Sequence, residues 1–185
     1  METIVERELR LLGQRVERLE DLVVRAVAWA SAICLVLGQL LPFIPVNQGS
    51  DEEDVMASLL TTGFRALTFR DSEGDVEGFS IAAGIGFLGL LLVTVVALYL
   101  LALIATASAT AGTQKVVGLT ATLLVVGTVV AGIFALLSLS AEDVGPGWGI
   151  VVFAVGVALF LVVAFSGLRD WWEPARRARG TVVLR

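Results

Sequence analysis

A chain of 185 residues with 57% apolar and only 17% charged side chains is too hydrophobic for an ordinary soluble domain, where about a quarter of the residues are charged. A net charge of −5, no histidine and one cysteine argue against a basic nucleic-acid binder, a histidine-based metal centre and an intramolecular disulfide. Four stretches, residues 26–50, 78–114, 116–141 and 144–168, hold no Asp, Glu, Lys or Arg over 25, 37, 26 and 25 residues. A hydrocarbon core about 30 Å thick needs roughly 20 apolar residues of helix, so each stretch is long enough to cross it. The expected fold is an all-α integral membrane protein with four transmembrane helices. A cytoplasmic N-terminal amphipathic or coiled-coil helix and a short outer-loop helix complete it.

Residues 1–25 read as a charged helix. Thr3 and Glu6 have the spacing of a capping box. Val5, Leu9, Leu12, Val16, Leu19 and Val23 follow one another at steps of 4, 3, 4, 3 and 4, an unbroken heptad seam. Leu9, Val16 and Val23 fall at a, and Val5, Leu12 and Leu19 at d; valine at a with leucine at d favours two parallel strands. Arg15 at g is placed to pair with Glu20 at e of a partner, whereas Gly13 at e weakens the middle. Three occupants fit this seam: a second copy, another protein, or the membrane surface. The mixture of Glu and Arg on the polar face disfavours simple adsorption to anionic lipid.

The first span is expected over residues 26–44, ended by Pro42 and Pro45, with Trp29 as an interfacial anchor. It follows a long charged segment and reaches full membrane length, as a signal anchor does. Cys34 lies within it. The loop over 45–78 opens with turn residues, after which Ser50 and Glu53 make a second capping pair. Val55, Met56, Leu59, Leu60, Phe64 and Leu67 have helical spacing, predicting a short amphipathic helix over about 51–67. Asp71, Glu73, Asp75 and Glu77 alternate along the rest of the loop and form a weak calcium candidate, although their spacing does not match an EF-hand. A solvated acidic loop explains them more simply.

The remaining spans are expected over 79–104, 116–139 and 148–168. Gly145-Pro146-Gly147 turns the chain between the last two, and Trp148, Trp171 and Trp172 serve as membrane anchors. Small residues recur four apart at Ser80/Gly84, Ala82/Gly86, Gly127/Ala131, Thr128/Gly132 and Ala154/Ala158, which permits close helix approach in lipid. The basic tail over 169–185 ends the chain.

An even number of spans puts both termini and the Lys115 loop on one side. That side carries 11 basic and 8 acidic residues, and the other 2 basic and 10 acidic. The bias in Lys and Arg places both termini in the cytoplasm. Twelve Arg against one Lys, with heavy Ala, Val, Gly and Leu usage, points to a high-GC bacterial source and hence a cytoplasmic (inner) membrane. A four-span layout with both ends inside and a larger first outer loop resembles that of tetraspan proteins such as claudins. The paired loop cysteines of claudins are absent.

No catalytic or cofactor motif is found. Gly84, Gly86 and Gly89 spell a dinucleotide pattern by letters, but inside an apolar span with no preceding strand. The spans carry no ionisable side chain at depth, where proton relays and ion-coupled transporters usually place one. Gln39, Thr94, Tyr99, Thr120, Thr122 and Thr128 are the polar residues within them. Glu142/Asp143 and Asp170/Glu173 are helix-end charges before they are a lipid-hydrolysing pair. The expectation is a non-catalytic accessory or scaffold subunit of a bacterial membrane assembly. Its partners are membrane lipids and other membrane subunits or itself, with no cofactor and no nucleic acid. The alternative is a homo-oligomeric small channel or transporter.

Overall fold

The computed structural model describes residues 4–46, 55–58, 61, 63, 64, 67, 78–106, 110–139 and 147–165. Helix α1 runs Ile4–Leu40 without interruption, 37 residues or about 55 Å. It stops short of the expected residue 44. The Leu41 N–H still closes a turn onto the Leu37 carbonyl at 2.9 Å. Pro42 then has no N–H to give and pushes Leu41 toward extended backbone.

The chain continues as strand β1, Pro42–Val46, paired antiparallel with β2, Val55–Ser58. Val46 faces Val55, Pro45 faces Met56 and Ile44 faces Ala57, with a register shift between Pro42 and Ile44. The helix predicted over 51–67 is therefore corrected: residues 55–58 are strand, and helical backbone is described only at 61, 63, 64 and 67. The physical reason is a partner that local spacing cannot reveal. β-Branched Ile44, Val46 and Val55 suit a pleated ribbon, and a two-stranded ribbon has free edges on which proline costs nothing. Helical backbone follows Ser58, whose Oγ accepts the Thr61 N–H at 3.4 Å and whose carbonyl accepts the Thr61 hydroxyl at 3.0 Å. Leu67 rests on the helix that begins at Gly78, where a Cβ added to Gly84 would lie 2.7 Å from Leu67 Cγ.

Helices α2 (Gly78–Ala105), α3 (Ala111–Leu139) and α4 (Trp148–Phe165) follow. Between α2 and α3, Thr113 Oγ1 accepts the Thr110 N–H at 3.0 Å, half of a capping box. Each helix packs on its neighbours in sequence, and α4 closes the ring against α1, the most extensive contact of the bundle. The core holds Leu35, Leu101, Ile104, Leu124, Phe153, Phe160 and Val163, all fully buried. Yet Leu92, Val95, Leu119, Val129, Val155 and Phe165 point outward from the same helices. Helices apolar all round, with large side chains exposed, are those of a bundle solvated by lipid. Four helices, including Leu11–Leu40, are long and apolar enough to cross a membrane. The protein is a multi-pass membrane protein built as a four-helix bundle.

Candidate functional site

Two faces of α1 differ in what covers them. The first is closed by α4. Val24, Ala28, Ser31, Leu35 and Gly38 are buried at steps of 4, 3, 4 and 3, and Gly149, Phe153, Gly156, Phe160 and Val163 are buried on α4 at the same steps. The pairing is antiparallel. A Cβ on Gly38 would meet the Phe153 backbone at 2.6 Å, and one on Gly156 the Leu35 nitrogen at 2.8 Å. One on Gly149 would meet the carbonyl oxygens of Leu41 and Pro42 at 2.7 and 2.8 Å. Backbone therefore lies on backbone along the seam, and any larger residue must push the helices apart. The buried Ser31 hydroxyl donates to the Gly156 carbonyl at 2.9 Å, a hydrogen bond between helices. In lipid, where apolar surface gains nothing by leaving its solvent, close packing and such bonds are what hold helices together.

This seam is absent from the small-residue pairs read in the sequence, which were sought four apart. It uses positions seven apart, Ser31 with Gly38 and Gly149 with Gly156. The pairs that were read behave unevenly. Gly84 and Ala131 are buried, Gly127 receives the Leu90 side chain, and Ala82, Gly86, Ala154 and Ala158 face outward.

The second face is the heptad seam. Leu12 and Leu19 are 56% and 62% exposed, Val16 is half exposed, and every residue from 11 to 19 is exposed. The side chains of Val5 and Leu9 lie outside the described residues. Arg15, Glu17, Arg18 and Glu20 stud this segment, and Arg25 follows them one to two turns on. Toward that end, α4 is described only as far as Phe165. Residues 11–19 of α1 thus form an exposed stalk.

The polar residues of the spans mostly serve their own helices. Thr94, Thr122 and Thr128 donate to the carbonyls of Leu90, Gly118 and Leu124 at 2.8, 3.1 and 2.6 Å. Thr120 is buried and Tyr99 faces outward. Gln39 and Gln114 each bury an amide nitrogen with no hydrogen-bond partner among the described residues. Trp29 and Trp148 are exposed. Trp171, Trp172 and the acidic series Asp71, Glu73, Asp75 and Glu77 lie outside the described residues. No group of three or more His, Cys, Asp or Glu that could hold a metal is found among the described residues. No known protein family, curated protein or solved structure matches the chain.

Proposed function

We propose that this protein is a non-catalytic accessory or scaffold subunit of a bacterial membrane assembly, joined to its partners through α1 and small-residue faces of the bundle. The observation that carries the reading is the stalk. Large apolar residues exposed at heptad spacing are costly to leave bare on a helix in water, and such a seam is what a partner helix fills. The basic bias of the terminal segments supports a cytoplasmic stalk, with both termini inside the inner membrane. Leu12→Glu and Leu19→Glu test it in tagged protein extracted gently from its own membrane. Each variant is expected to lose co-purifying subunits while the bundle remains folded; full assembly with both would remove the stalk from the interface.

A homo-oligomeric channel or transporter is the second reading, favoured by the buried amide nitrogens of Gln39 and Gln114, which find no hydrogen-bond partner among the described residues. Purified protein in liposomes should then pass ions or small solutes faster than empty liposomes. No flux above that background would dismiss it.

A further inference from the structure

The exposed heptad seam does not stop where α1 enters the bilayer. Continuing its steps beyond Leu19 and Val23 reaches Ala26 and Ala30, then Ile33, Leu37 and Leu40, all exposed. At about 100° per residue this stripe lies about 150° around α1 from the face that α4 covers. The two faces are close to opposite, so a partner can occupy one without disturbing the other.

We infer that the occupant is a second copy of this chain, the two α1 helices pairing in parallel from the stalk into the membrane. The inference rests on the reading of α1 as an association element. Two features select a second copy: the register of the charges and the residue types along the stripe. Copies inserted in one membrane share one orientation, so their α1 helices run parallel, and parallel pairing sets g against e of the next heptad. That register puts Arg15 against Glu20 of the second copy twice over, by symmetry.

The residue types also change where the stripe meets the bilayer, before large side chains return at Ile33, Leu37 and Leu40. Val16 and Val23 at a, with Leu12 and Leu19 at d, are what a two-stranded coil in water takes. At the bilayer the stripe changes to alanine at both Ala26 and Ala30, four apart, the small residues that let helices approach in lipid. A stripe facing lipid alone has no need of that change.

Single cysteines in a Cys34→Ser background, oxidised in isolated membranes containing the full-length protein, test the pairing. Leu12→Cys, Leu19→Cys and Ala26→Cys should give a disulfide-linked species of twice 19.6 kDa, at least about fivefold more abundant than Arg18→Cys or Arg25→Cys, which sit a third of a turn away. Arg15→Glu should lower the Ala26→Cys yield about fivefold and Arg15→Glu with Glu20→Arg should restore it, as exposed pairs of modest strength do. Equal linkage on all faces, or none on the stripe, overturns the inference. Linkage of the stripe to a different polypeptide also overturns it and leaves the accessory reading standing. Stripe linkage in protein purified free of other subunits upholds the inference and counts against the accessory reading.

Discussion

The α1–α4 seam and the stalk stripe share one helix and one heptad period, yet they differ in side-chain bulk. The seam sits in lipid and alternates large Leu35, Phe153 and Phe160 with Ser31, Gly38, Gly149 and Gly156, residues that remove bulk. The stripe on the stalk uses Leu12, Val16 and Leu19, residues that add it. The contrast follows from the solvent. In water, burying a leucine contributes about 2 kcal/mol because apolar surface leaves water. In lipid that term is absent, and only closer atoms help. A heptad therefore signals contact, and backbone-to-backbone approach at its glycines marks a contact made in lipid.

Breaking the seam should have the largest effect. Gly156→Leu drives a side chain into the Leu35 backbone and is expected to cost about 3 kcal/mol, read as a lower midpoint in reversible unfolding from mixed micelles. Phe153→Ala, at a fully buried position, should follow at about 2 to 3 kcal/mol in the same assay, because it leaves a cavity but loses no transfer from water. Gly13→Ala works on the other region. Nothing lies within 4 Å of a Cβ there, so the stalk should gain about 1 kcal/mol of helix stability, seen as slower amide exchange across residues 8–20 and not in the spans. Ser31→Ala is the smallest, about 0.6 kcal/mol in unfolding, since bonds between membrane helices are worth little more. A loss above about 2 kcal/mol would make that hydrogen bond, and not glycine packing, the basis of the seam.

Much of the fold was legible because its strongest signal is local. Charge-free runs need no partner to be recognised, and all four became helices. The end of α1 was misplaced by a few residues because Pro42 acts one turn before the apolar run finishes. The strand at 55–58 escapes the sequence because Val55 and Met56 fit helical spacing with Leu59 and Leu60, and the choice is made by pairing with residues 42–46. The α1–α4 seam was harder still. Gly38 and Gly149 lie far apart in sequence, and neither glycine is distinctive among the chain's 19. The stalk stripe was visible in the letters, but only the structure shows that its continuation through the span stays exposed while the next residues along face α4.

The unbroken course of α1 also has a mechanical meaning. No proline or described break interrupts Ile4–Leu40, and its far end is clasped where Gly149 touches the Leu41 and Pro42 carbonyls at the root of the β-ribbon. A rod about 55 Å long without a joint transmits torque rather than absorbing it. A turn applied at the stalk arrives at the ribbon on the opposite side of the bilayer, carried by the stiffness of a single helix.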